Sequence, residues 1–147
     1  VQKFTPTTLA ILSQSIPFYP DRPFTEQEII KRSRQGVLRL EADRVANLVG
    51  LTDKEMAAAI GLSPSYLHRL KIEQRISQDA SERLSLLENL LQHALDTFDG
   101  RTTTVLSWLR SPLRELEFQT PLQTLDTVTG YTLVDRVLGR IDHGIFG

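Results

Sequence analysis

Thr52-Asp53-Lys54-Glu55-Met56-Ala57-Ala58-Ala59-Ile60-Gly61-Leu62-Ser63-Pro64-Ser65-Tyr66-Leu67-His68-Arg69-Leu70-Lys71-Ile72 is the stretch whose reading decides the fold. Thr52 and Glu55 have the spacing of a capping box, in which hydroxyl and carboxylate each accept a free amide of the first turn. Leu51 and Met56 flank it as a hydrophobic staple. The run from Met56 to Ile60 is strongly helical and stops at Gly61, a residue suited to the left-handed end of a helix. Ser63 is a good N-cap, and Pro64 is harmless at the first helical position because the amide it lacks would have no partner there. Two short helices joined by Gly61-Leu62-Ser63, with small alanines where they approach, have the layout of a helix-turn-helix. The second is expected over Pro64 to Ile72, burying Tyr66, Leu67, Leu70 and Ile72. Ser65, His68, Arg69 and Lys71 then face outward, with Ser63 at the cap and Gln74 and Arg75 just beyond, and these side-chain types suit base edges and phosphates. A helical hairpin that served only as scaffold would carry the same caps.

Upstream, Thr25-Glu26-Gln27-Glu28 is a second capping box, with Phe24 and Ile29 placed as its staple, so a helix begins there and ends near Gly36. Val37, Leu40, Val45, Leu48 and Val49 supply the apolar stripe of another helix, from about Leu40 to Leu48, closing at Gly50. Residues 1 to 24 hold four of the seven prolines, which leaves room for one short helix, Thr7 to Ser15, in a loosely attached arm. Charge is uneven although the net is only −1. Residues 31 to 75 carry nine Lys/Arg against five Asp/Glu, and residues 76 to 147 carry six against ten. The middle can face phosphates, and the end prefers a basic partner.

Downstream, Ser77 caps one long helix running to Phe98 and ended by Asp99-Gly100. Leu84, Leu87, Leu91, Ala94 and Phe98 form its stripe, and Leu90 and Leu95 widen it, which suits a spine joining two helical halves, with dimer packing as a second use. The single tryptophan, Trp108, is expected in the core of the C-terminal half, packed with Val105, Leu106, Leu109 and the stripe Val134, Val137, Leu138 and Ile141. Gly144 is a helix C-cap, and Ile145 and Phe146 beyond it either close the domain's own core or enter a partner.

The chain has no cysteine, so a disulfide framework and a thiolate metal site are both excluded. His68, His93 and His143 are far apart and show no ligand spacing, no glycine-rich loop precedes a helix, and no nucleophile elbow is present. These observations argue against an enzyme, a metal site and a cofactor. Asp142-His143 reads as structural, a protonatable residue favoured at a helix C-terminus. No apolar run reaches membrane-spanning length and the N-terminus lacks a signal layout, so a cytoplasmic protein without membrane association is expected.

Trp108-Leu109, Pro112, Leu116, Thr120-Pro121, Leu125-Asp126-Thr127, Gly130, Val134, Leu138-Gly139-Arg140-Ile141 and His143-Gly144 together resemble the toxin-binding domain of the Xre, MbcA and ParS antitoxins, and a weaker likeness covers the helix-turn-helix region from about Ile30. Leu113-Arg114-Glu115 and Glu117-Phe118 depart from the family's Asn-Pro and glycine-rich turns. The fold expected is all-α: an arm over 1–24, a helix-turn-helix region with its spine helix over 25–100, and a small C-terminal toxin-binding domain over 101–147. The resemblance implies an antitoxin that covers the active site of a cognate toxin, most often in this family a RES-domain, NAD-degrading enzyme, and represses its operon by binding operator DNA; a homodimer is expected to make that DNA contact. Arg110, Arg140, Asp142, His143, Gly144, Ile145 and Phe146 are its expected toxin-binding residues. A stand-alone helix-turn-helix repressor is the alternative.

Overall fold

The computed structural model describes residues 22–144; the helix expected over Thr7 to Ser15 lies outside them, as do Ile145 and Phe146. The described elements are helical: α1 (Glu26–Gln35), α2 (Arg39–Val49), α3 (Asp53–Ile60), α4 (Pro64–Arg69), α5 (Gln78–Thr97), α6 (Thr102–Leu109), a 3-10 turn (Arg114–Leu116), α7 (Pro121–Thr124) and α8 (Val128–Asp142). The all-α expectation holds. Both capping boxes form, at Thr25 with Glu28 and at Thr52 with Glu55, and a third forms at Thr120 with Gln123. Each satisfies two amides that a helix start would otherwise leave without partners.

The long helix α5 is the spine, packed against α1, α3, α6 and α8. Leu84, Leu87, Leu91 and Ala94 are fully buried, and so are Leu90 and Leu95, so the widened stripe is covered within the chain. The last helix buries Val134, Val137 and Leu138 as its spacing requires, with Ile141 partly covered. Two polar ties join the C-terminal half to α3. The Tyr131 hydroxyl donates to the Ala59 carbonyl at 2.7 Å in a buried contact, and Arg110 makes a bidentate pair with Glu55 at 2.7 and 2.9 Å. Burial also pushes the Tyr131 phenol up, which keeps it a donor.

Four expectations need correction. The second helix of the helix-turn-helix ends at Arg69, not Ile72, because the chain beyond it is drawn alongside residues 37–40. Leu70 is already extended (φ −67°, ψ 135°), and the amides of Leu40, Arg39 and Ile76 donate to the carbonyls of Ile72, Gln74 and Val37 at 3.1, 2.9 and 2.8 Å. These partners replace the helical ladder. Tyr66 is 41% exposed, since a six-residue helix offers only Leu67 to the core. Leu48 lies on the outer face of α2, where Ala42 and Ala46 take the inner positions beside Val45 and Val49. Trp108 is only half-buried; it tilts against Phe98 with ring centroids 5.8 Å apart, while the α8 stripe packs on α5.

Gly130 is required by a close approach. A Cβ built there would lie 1.6 Å from the Thr124 carbonyl oxygen, so the first turn of α8 rests directly on the end of α7. Gly130→Ala must push the two helices apart, and a loss of about 1–3 kcal/mol is expected by the usual cost of overpacking a tight contact. Thermal melts of that variant should fall well below wild type, and an unchanged melt would show that the junction yields freely.

Candidate functional site

Two surfaces collect the residues singled out from the sequence. The first is the outer face of α4. Ser63 caps the helix, its hydroxyl accepting the Tyr66 amide at 3.1 Å, and Gly61 before it adopts the left-handed conformation (φ 77°, ψ 26°) that turns α3 into α4. Leu67 alone is buried, so Ser65, Tyr66, His68 and Arg69 stand on the exposed side, with Lys71 following. Arg39 holds the helix from behind: its Nη1 donates to the Leu70 carbonyl and, at 3.4 Å, to the His68 carbonyl, satisfying acceptors that the short helix leaves open. Gln74 and Arg75 are exposed but engaged. The Gln74 side chain accepts the Lys71 amide at 2.7 Å, and Arg75 donates to the Gly36 carbonyl at 2.5 Å. The face therefore offers a hydroxyl, a phenol, an imidazole and one cation along one short helix, with a second cation, Lys71, just beyond it. Tyr66 was missed from the sequence because its apolar ring read as core.

The second surface lies at the C-terminal half, where the expected residues divide. Arg110 is occupied within the chain, by Glu55 and by the Gly50 carbonyl at 3.3 Å, and the pairing holds the Glu55 carboxyl below the usual carboxylate range. Asp142 is occupied too. It accepts from the Thr97 hydroxyl and from His93 Nε2, both at 2.6 Å, while His93 Nδ1 faces Asp135 at 2.6 Å. The histidine beside Asp142 in space is thus His93 from α5, and His143 serves as an exposed helix cap. Arg140 and Gly144 are exposed, and Gly144 has the left-handed φ of 70° expected of a turn leading out of α8. Among the described residues no group of His, Cys, Asp and Glu is placed to hold a metal ion, and no helix is long and apolar enough to cross a membrane.

Comparison with known proteins bears on both surfaces. Residues 28–89 match the family model of the antitoxin Xre-like helix-turn-helix domain, and residues 93–144 match that of the antitoxin Xre/MbcA/ParS C-terminal toxin-binding domain. The chain belongs to the Xre/MbcA/ParS antitoxin family. The α4 face lies in the first of this antitoxin family's domains and the α8 end in the second, and the gap between the two matches falls inside α5. Relatives named Antitoxin Xre occur in Photorhabdus laumondii, 35% identical over 55% of this chain and 55% of the relative, and in Yersinia enterocolitica, 30% identical over 63% of each. A Sphingobium protein named Prs ADP-ribosylating antitoxin is 28% identical over 77% of each chain. The alignment with either Xre relative spans less than two thirds of that relative's length.

Burial disfavours the charged form of His93, but its pairs with Asp135 and Asp142 outweigh burial and raise its pKa; once protonated, the ring can donate from both nitrogens. The Thr97 hydroxyl, then His93, lowers the pKa of Asp142. A raised histidine stabilises the fold fully below its unfolded value of about 6.5 and loses that contribution as pH rises through the higher folded value. A lowered carboxylate contributes above its unfolded value of about 3.9 and fails as pH falls through the folded one. The clasp between α5 and α8 should therefore be strongest between about pH 4 and pH 6.5. Wild type should lose thermal stability relative to His93→Ala as pH is raised from 6 to 9, by about 1 kcal/mol or less for so accessible a cluster. Parallel melting profiles would remove the clasp.

Proposed function

We propose that this chain is the antitoxin of a toxin–antitoxin pair, that it neutralises a cognate toxin by direct binding through its C-terminal half, and that it represses its own operon as a homodimer through the exposed face of α4. The observation that carries this reading is the union, in one packed body, of a toxin-binding domain and a helix-turn-helix whose second helix turns cationic and polar side chains outward. The toxin we assign is a RES-domain enzyme that degrades NAD. That assignment follows the family resemblance, and it is supported by a relative whose name couples an antitoxin with ADP-ribosylation, a reaction that consumes NAD. The antitoxin's own role is binding rather than catalysis, in the cytoplasm with its toxin.

On the toxin side, Arg140, His143 and Gly144 are exposed, and with Ile145 and Phe146, the next residues in the sequence, they are our proposed contact to the toxin's cleft. Arg110 and Asp142 position this end of the molecule through their own pairs. Deleting residues 144–147 should leave the circular dichroism spectrum and melt unchanged while abolishing rescue of growth against the toxin encoded beside it. Full rescue by the truncated chain would move the neutralising contact elsewhere.

On the DNA side, Arg69 and Lys71 meet phosphates or bases. Arg69→Ala should weaken binding to the chain's own promoter by about 1–3 kcal/mol, with a shallower dependence on salt if the lost contact is to phosphate. A gel-shift titration in which wild type binds the promoter no better than random duplex would end the repressor assignment and leave the toxin assignment standing.

A further inference from the structure

The turn that joins α6 to α7 carries the most exposed large apolar side chain among the described residues, Phe118, at 73% of its full accessibility. Its backbone is unusual as well. Glu117 (φ 55°, ψ 39°) and Phe118 (φ 66°) are consecutive residues in the left-handed region, which glycine enters freely and side chains with a Cβ enter at a cost. The turn is nonetheless held on both sides. The Leu113 amide donates to the Gln119 carbonyl at 3.0 Å, and the Phe118 amide donates to the Leu113 carbonyl at 2.8 Å. Leu116 is buried beneath it, and the Thr120–Gln123 capping box starts α7 directly after it. The loop thus holds a phenylalanine out in solvent at the second of two successive positions where glycine would be more comfortable. Nothing in the packing of the described residues requires that arrangement.

Resting on the reading above that the C-terminal half binds a toxin, we infer that Phe118 is a preformed anchor of that contact, inserting into an apolar pocket of the toxin rimmed by Lys or Arg. Three observations carry it. The turn lies inside the residues that match the toxin-binding domain. An exposed aromatic held by a closed turn loses little freedom on docking, which is the property of residues that dominate interfaces. Exposed Glu117 directly precedes Phe118, and the turn's three charged residues, Arg114, Glu115 and Glu117, sum to −1, so the complementary rim is basic, in keeping with ten Asp/Glu against six Lys/Arg over residues 76 to 147. The same acidic flank argues against a second copy as the occupant, because a two-fold contact centred on Phe118 would bring Glu117 against Glu117.

The test measures toxin binding and stability together. The full chain, with Phe118→Ala, Phe118→Gly, Phe118→Leu or Glu117→Lys, is titrated calorimetrically with the toxin encoded by the neighbouring gene, and each variant is melted alone. Phe118→Ala should weaken binding about 30-fold or more, the size of an interface hot spot. Phe118→Gly should bind as poorly yet melt at or above the wild-type temperature, since glycine relieves the strained φ; a purely structural phenylalanine would lose both. Phe118→Leu should restore part of the affinity. Glu117→Lys should slow association at low salt and matter less at high salt. Wild-type affinity in both Phe118→Ala and Phe118→Gly overturns the inference while leaving the antitoxin reading intact. A Phe118→Ala change that alters the size of the free chain and not its toxin affinity assigns the turn to self-association and overturns it too. Failure of wild type itself to bind that toxin removes the reading and the inference together.

Discussion

Burial of α5 from several sides is the constraint on which the rest of the structure depends. Its leucines face inward around more than one stripe, and no single neighbour covers them all; α1 and α3 come from the N-terminal half, α6 and α8 from the C-terminal half. Either half alone would leave part of this surface in water, at a cost that grows with the apolar area exposed. The side of α5 toward α1 is polar and equally demanding. Ser81 accepts the Val37 amide at 2.8 Å, Ser85 accepts from Arg32 at 3.0 Å, and Arg32 also reaches Glu88 and Glu41 while lying 4.1 Å over the Phe24 ring. Burial, reinforced by the neighbouring Glu41 carboxyl, holds Glu88 well above the usual carboxylate range. Two carboxylates are costly to hold ionised in so buried a site, a cost that Arg32 and Arg44 oppose.

This packing sets how the two functional surfaces are related. Tyr131 and Arg110 both fasten the C-terminal half to α3, the helix that leads through Gly61 into α4. Arg83 adds a third tie by donating to the Asp126 carbonyl at 2.9 Å, just before α8 begins. The two family domains therefore share a core and hydrogen bonds as well as a covalent link. A protein bound at the C-terminal half meets a body to which the α4 face is directly attached.

The turns between helices repeat one device with different residues. Gly50, Gly61 and Gly144 end their helices in left-handed conformations that suit glycine. Asp99, Glu117 and Phe118 take positive φ without that freedom. Asp99 immediately precedes Gly100 in a tight helix end, where aspartate is among the better-tolerated side chains. Glu117 and Phe118 have no such local excuse, and the surrounding hydrogen bonds hold them in place. The packing of the described residues therefore gives no reason for a strained, exposed aromatic at a position that glycine would relax.

The sequence by itself determined the helices, because their signals are local. Caps at Thr25, Thr52, Ser63 and Ser77, stops at Gly36, Gly50 and Gly61, and the leucine spacing of α5 act within a turn or two of the residues that carry them. The candidate site was legible to the same extent: the outward residues of α4 and the exposed end of α8 follow from periodicity once the helices are placed. Only the tertiary structure decided which apolar residues are core and which polar residues are free. Tyr66, Leu48 and Trp108 read as interior from their chemistry, yet the number of neighbours a short or outlying helix receives is set by distant segments. Arg110 and Asp142 read as available, and they are taken by Glu55, 55 residues away, and His93, 49 residues away. The end of α4 was settled by backbone pairing with residues 37–40, and the need for glycine at position 130 by a carbonyl on the preceding helix. Each is a long-range or close-contact demand, and local periodicity carries no record of it.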